Sequence, residues 1–360
     1  MRVLVRVLIF LAIILTVIFY SDQTIQENDL LEAPGSTGQA LPQENLSLPS
    51  GEGTIPRPVK GLSTLVGQKT NEIVNSFGEP DRIEASAFGY DWWVYNDSIT
   101  SYMLIGVMRD TITQVFIAGE NLDASPYQVG QTIDHLYRFS IIESEISVQL
   151  DSNVYTFTIN DTDIKNRLLV EFNGLYAQIY VDEEDGVVEA IRFTDPRTTV
   201  LHQPYEMTYT GDYLAADVPS TTEQKAINKS NERILFEMTN VYRARHEVDT
   251  VVEDEALGAV ARKHSEEMAM KNYFSHESPE FGDLENRLEE SQILYDSAAE
   301  NIGSNYYDSA EVVHGWLNSQ DHRKVLLKTD FTHLGVGAFG KYYTQNFVER
   351  EVPVVENIRE

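Results

Sequence analysis

The apolar positions of the chain change period several times, and each change marks a boundary. A near-continuous apolar run over residues 7–20 follows Arg2 and Arg6. A basic start and an apolar core are the marks of a secretory signal, and adding Val3, Leu4 and Val5 brings the run close to bilayer-spanning length. Phe19-Tyr20-Ser21-Asp22 makes a poor cleavage site, so residues 1–22 read as a signal anchor, or failing that a signal peptide, with the positive end inside. Residues 23–60 lose all periodicity and are broken by Pro34, Pro42, Pro49, Pro56 and Pro58, which predicts a disordered stalk. Alternating aromatic and β-branched positions then predict strands over 90–95, 101–108, 112–118, 154–159, 168–172, 177–181 and 187–193, with short helices over 70–77 and 133–139.

This middle stretch carries a weak duplication. Val66-Gly67-Gln68 recurs as Val129-Gly130-Gln131, each opening a helix, and the strands 90–95 and 154–159 both run into Asn-Asp, a turn signal. Residues 61–210 are therefore expected to be an α+β domain of two αβββ-like units. A polar connector is expected over 211–230. Beyond it the period turns helical: Ile234, Leu235, Met238, Val241 and Tyr242 share a face, and further helices are predicted over 254–271, 283–291 and 309–318, followed by two strands over 333–339 and 342–349. Residues 231–350 thus read as helices around a small antiparallel sheet, an α/β/α sandwich, with a tail over 351–360.

Composition narrows the functional classes. A net charge of −30 leaves no basic surface for phosphates, which excludes nucleic acid as a partner. The absence of cysteine excludes disulfides, thiol nucleophiles and cysteine-based zinc sites. No Gly-x-Ser-x-Gly elbow is present. What remains is histidine: six of the eight, His246, His264, His276, His314, His322 and His333, lie in the last third.

Three of them sit in recognisable runs. Tyr273-Phe274-Ser275-His276-Glu277-Ser278-Pro279, Ala299-Glu300-Asn301-Ile302-Gly303 and Gly315-Trp316-Leu317-Asn318-Ser319-Gln320-Asp321-His322-Arg323 resemble, in order, the three motifs of the CAP superfamily (cysteine-rich secretory protein, antigen 5, pathogenesis-related-1; SCP-like) in its Gram-positive bacterial form. His333-Leu334-Gly335-Val336-Gly337 and Tyr343-Thr344-Gln345-Asn346-Phe347 resemble that family's closing strands. The Gly78-Glu79-Pro80 turn, the duplication and the place in the chain make residues 61–210 similar to the N-terminal domain that accompanies such domains. The resemblance implies a cleft floored by His276, Glu300 and His322, with Ser319 where animal members carry a second Glu. Asn301 reads as a structural residue whose side chain bonds backbone around the Gly303 turn and holds Glu300 in place, and Tyr343 and Gln345 are expected on the cleft wall.

Two imidazoles and a carboxylate are good ligands for zinc or another divalent cation, with a further position open to water. Their separations are not local, so only a fold can unite them. The other histidines have plainer readings: His264 as a hydrogen-bonded core residue, His246 as a helix C-terminal cation, His333 as structural, and His314 as solvated, off the Val313-Trp316-Leu317 face. The function this supports is an extracytoplasmic, membrane-anchored or secreted module that binds a cell-envelope ligand (lipid, glycan or protein) without turning it over. The alternative is a metal-assisted, peptidase-like hydrolase using the same cleft.

Overall fold

The computed structural model describes residues 24–26, 28–34, 38–41 and 55–350. The expected anchor (1–22) and tail (351–360) lie outside them, and among the described residues no helix is long and apolar enough to cross a membrane. Part of the expected stalk is ordered. Strands β1 (Thr24–Gln26), β2 (Leu31–Glu32) and β3 (Gly38–Ala40) each pair with the edge of a folded sheet. Such a polar stretch cannot build a core, but the unpaired N–H and C=O groups of an edge strand give it partners.

The first domain runs through α1 (Thr70–Phe77), β4 (Arg82–Ala85), β5 (Asp91–Tyr95), β6 (Met103–Met108), β7 (Thr111–Ile117), α2 (Ile133–Phe139), β8 (Glu145–Leu150), β9 (Asn153–Thr158), α3 (Asp161–Asn166), β10 (Arg167–Glu171), β11 (Tyr176–Asp182), β12 (Val187–Thr194), α4 (Pro196–His202) and β13 (Glu206–Thr210). Seven strands form one sheet in the order β10-β11-β12-β7-β6-β5-β4. The duplication has a structural basis. Gly67 and Gly130 both take positive φ, 92° and 84°, and donate to Ile112 and Val188 respectively. Each helix is thereby docked at the start of an equivalent strand, β7 or β12, and these two pair at the centre of the sheet. The equivalence is incomplete: β9, expected as the counterpart of β5, joins β8, β13 and β3 in a separate sheet.

The second domain contains α5 (Thr221–Arg245), β14 (Val252–Glu253), α6 (Glu255–Lys271), α7 (Leu284–Glu290), β15 (Ser297–Ser304), α8 (Ser309–Leu317), α9 (Gln320–Leu326), β16 (His333–Phe339) and β17 (Tyr342–Glu349). The expected connector is half helix: Ser220 and Glu223 form a capping box that starts α5 at Thr221, and the polar positions after it are the exposed face of that helix. The sheet runs β15-β17-β16-β14. Met238, Val313, Trp316 and Val325 pack one face against Val336, Tyr343 and Phe347, while Leu257, Val260 and Leu288 pack the other against Ala298 and Val348. This is the α/β/α sandwich. Gly335 and Gly337 let α6 lie directly on β16, since a Cβ at either would meet helix backbone atoms at 2.2 Å.

The two domains share one core. Met103, Ile105, Val115 and Ile179 of the seven-stranded sheet turn inward under the first domain's own helices, but Trp92, Leu104, Phe116 and Tyr180, on the alternate positions, pack with Ile234, Met238, Tyr242 and Val313 of the second domain. Buried ion pairs cross the same boundary: Arg167–Glu311 at 2.5 Å, Arg192–Asp308 at 2.6 Å and Arg323–Asp182 at 2.7 Å. The contact also corrects the reading of His314. That residue is off the apolar face of α8 as expected, yet buried, because the first domain covers it and its Nε2 lies 2.9 Å from the Asn166 carbonyl.

Candidate functional site

The site is built on β15. Glu300 stands opposite Asn346 of β17, and Asn301 opposite Gln345, so the strand sends Glu300 and Asn346 to one face of the sheet and Asn301 and Gln345 to the other. Glu300 is 1% exposed. The Arg287 guanidinium, from α7, donates at 2.9 Å to both carboxylate oxygens, and His276 Nδ1 is 2.9 Å from Oε1. His264 Nε2 adds its field from 3.9 Å. Burial pushes the Glu300 pKa up, but Arg287, then His264 and His276, more than offset it and bring it down to about 2.

His276 is held by the way its helix ends. Asn272 takes the left-handed conformation that caps α6, and the following loop is closed by paired backbone bonds between Ser278 and Gly282 and by the Ser278 hydroxyl donating to Glu267 at 2.6 Å. With Nδ1 donating to Glu300, the ring turns its other nitrogen, Nε2, into the interior, where it is buried with no hydrogen-bond partner. His322 lies in the first turn of α9, its Nδ1 2.8 Å from the hydroxyl of Ser319, the N-cap residue. Burial, reinforced by the nearby His276, pushes its pKa down to about 4. The structure thus brings His276 and Glu300 into contact and sets His322 within electrostatic reach of His276.

The supporting residues divide by strand parity. Asn301 does not hold a turn at Gly303; it sits inside β15, and its amide donates at 3.3 Å to the His322 carbonyl and to Gln345 Oε1. Gln345 in turn donates to Thr239 at 2.5 Å. The pair secures the start of α9 from the face behind Glu300. Tyr343 turns into the core on that same face, donating to the Tyr306 carbonyl, so it does not line the cleft. Three participants escaped the sequence reading: Arg287, which sits in a charged helix and looks like a surface residue; His264, which is the expected hydrogen-bonded core histidine but also faces Glu300; and Asn346, fully buried beside Glu300 with both amide atoms unpartnered. Only the cross-strand register marks Asn346.

Residues 66–205 match the model of the CAP-associated N-terminal domain, and residues 236–349 that of the cysteine-rich secretory protein family. The "uncharacterized membrane protein YlbC" of Bacillus subtilis (strain 168) is 38% identical over 296 residues, spanning 82% of this chain and 86% of that protein. The chain belongs to the CAP family. An extracellular SCP-domain protein of Bacillus anthracis str. Ames superposes with a TM-score of 0.77 at 32% identity, covering 84% of this chain and all of that one. A cysteine-rich secretory protein of Staphylococcus aureus subsp. aureus Mu50 follows at 0.74 and 25% identity, covering 89% of this chain and 98% of that one.

The edge of the CAP sheet is not bare. Residues 24–26 and 28–34 run along β15 as a strap, pairing in parallel at both ends, and Asn28 between them is buried against the strand. The CAP domain also meets its associated domain in a charged clasp: His246, at the C-terminal end of α5, lies 3.4 Å from Asp182 and 3.7 Å from Glu189. Among the described residues this is the group with metal-ligand spacing. Its carboxylates are already paired, Asp182 with Arg323 at 2.7 Å and Glu189 with Arg245 at 2.6 Å, so it serves to join the two domains.

Proposed function

We infer that this CAP-domain chain is a non-enzymatic binding module of the bacterial cell envelope, held outside the membrane, with the His276–Glu300–His322 cleft as its ligand site. The observation that carries this reading is the state of Glu300. Both its oxygens are engaged by Arg287, and its pKa of about 2 makes it a poor proton acceptor near neutral pH. A metal-assisted hydrolase needs that carboxylate as base or ligand, so the arrangement favours recognition over turnover. Location rests on the basic-then-apolar start of the chain and on relatives described as a membrane protein and an extracellular protein.

The buried, unpartnered Nε2 atoms of His276 and His322 are the donors that would hold zinc or another divalent cation; the metal would supply a Lewis-acid anchor for a ligand. Equilibrium dialysis of the full chain against micromolar zinc is the test. One equivalent bound, and at least ten-fold weaker binding in the His276→Ala/His322→Ala pair, is the expected result. No zinc bound by the wild type removes the metal from the reading. Turnover of peptide, ester or glycan substrates that disappears in Glu300→Gln overturns the binding reading itself.

A further inference from the structure

We propose that the outer edge of β15 is a receptor groove for an extended peptide, and that the chain's own residues 24–26 and 28–34 are its resident, displaceable occupant. The inference rests on reading the CAP cleft as a binding site and names the ligand class that site takes. Without the strap, β15 is the outer strand of the sheet, and one row of its N–H and C=O groups has no partner. The strap supplies one by parallel strand addition. Thr24, Ile25 and Gln26 register with Ser297, Ala298 and Ala299; Leu31 and Glu32 register with Gly303 and Ser304; and Ala33 N donates to the Ser304 carbonyl at 2.8 Å.

Between the two ladders the strap leaves strand register, and the gap falls at Glu300, Asn301 and Ile302. There recognition passes to a side chain. The Asn28 amide donates to the Glu300 carbonyl at 3.2 Å and to Asn301 Oδ1 at 2.5 Å, while the strap backbone at Asp29 interacts with the His322 ring. Apolar side chains seat the ends, Ile25 on the cluster of Leu257, Leu288 and Val348, and Leu31 on the main core. Backbone pairing for affinity and one side chain for identity is how sheets read extended peptides. A lipid or glycan offers no repeat of donors and acceptors at strand spacing.

The fit is incomplete, which is why the occupant can be displaced. With the strap in place, Asn28 Oδ1, on the strap itself, and His276 Nε2 are buried without partners. Buried polar groups left unpaired cost stability, so a peptide that puts a better-matched side chain in place of Asn28 and reaches His276 Nε2 outcompetes the strap. Beyond β2 the groove meets a pocket of about 150 Å³ bounded by Pro34, Tyr306 and His314, with room for a further side chain.

The test uses the full chain, stripped of metal with chelator, and a fluorescein-labelled synthetic peptide of the 24–34 sequence read by anisotropy. Ile25→Asp/Asn28→Ala/Leu31→Asp releases the strap. The released chain is expected to bind the peptide at least ten-fold more tightly than wild type, to bind the peptide carrying Asn28→Ala at least ten-fold more weakly, and to ignore a scrambled peptide. A folded released chain that takes neither peptide, or both equally, overturns the proposal. Should the released chain not fold, hydrogen exchange on the wild type decides. Strap amides Ile25 and Ala33 exchanging at least a hundred-fold faster than those between β15 and β17 support detachment, and equal protection overturns it. Because metal is removed throughout, a failure to hold zinc leaves this outcome untouched. A chain that binds zinc but not the peptide overturns this inference alone.

Discussion

At residue scale, Glu300 shows why a buried carboxylate depends on its partners. Arg287 is 4% exposed and Glu300 is 1% exposed, so removing either charge strands the other in a low-dielectric interior. Glu300→Gln is expected to cost about 3–5 kcal/mol in urea denaturation, and Glu300→Gln/Arg287→Leu to recover at least about half. The histidines set the pH dependence. Burial lowers the His264 and His322 pKa values from 6.5 to about 4. The unfolded chain therefore binds more protons than the folded one between those values, and stability that is full above pH 6.5 is lost as the pH falls toward 4. Glu300, with its depressed pKa, adds a second loss below pH 4.5. His322→Gln is expected to remove about 2 kcal/mol of the first decline, visible as a flatter plot of unfolding free energy against pH.

At the scale of elements, legibility followed local signals. The helices over 70–77 and 133–139 and the strands over 333–339 and 342–349 lie where their periodicity puts them. By contrast β15 was invisible as a strand. Ser297-Ala298-Ala299-Glu300-Asn301-Ile302-Gly303-Ser304 has no alternation and a single β-branched residue, Ile302, and it is extended because β17 and the strap pair with it. Helix α9, which carries His322, was missed because it is short and follows α8 across only Asn318 and Ser319. The glycines of β16 make the element-scale prediction. A methyl at Gly337 meets the backbone of Ala261 and Arg262 at 2.2 Å, so Gly337→Ala must lift α6 off the sheet. The expected loss is at least about 2 kcal/mol, while Gly340→Asn, in open space at a positive φ of 59°, stays within about 1 kcal/mol. Chemical denaturation of both variants checks the contrast.

At the scale of the whole molecule, the associated domain and the CAP domain fold as one body. Trp92 and Trp316 belong to the same buried cluster although they come from different domains. In a variant that keeps only Trp92, the urea transition by fluorescence, which reports the first domain, is expected to coincide with the transition by far-ultraviolet circular dichroism, which reports both; midpoints that separate within that variant contradict a shared core. The ion pairs across the boundary are equally consequential. Arg192 is fully buried among Trp92, Phe116, Tyr180 and Tyr307, with Asp308 neutralising it. Asp308→Ala leaves that charge unpaired and also uncaps α8, so it should destabilise both domains together by about 3–5 kcal/mol. A loss confined to the CAP domain would show that the two are only tethered.

The amino-acid pattern by itself determined most of the helices and strands outside the site and the duplication at Gly67 and Gly130, and the family resemblance of its motifs singled out His276, Glu300 and His322. Those readings rest on local period, turn chemistry and motif order, which a linear chain carries in full. Tertiary structure alone decided that Arg287 holds Glu300, that Asn301 secures α9 from behind the strand, that His314 is covered by the neighbouring domain, and that a polar stalk lies along a sheet edge. Each of these is a partnership between groups far apart in the chain. It is settled by which buried charges and backbone groups must be satisfied once the core has formed, and residue spacing carries no record of that.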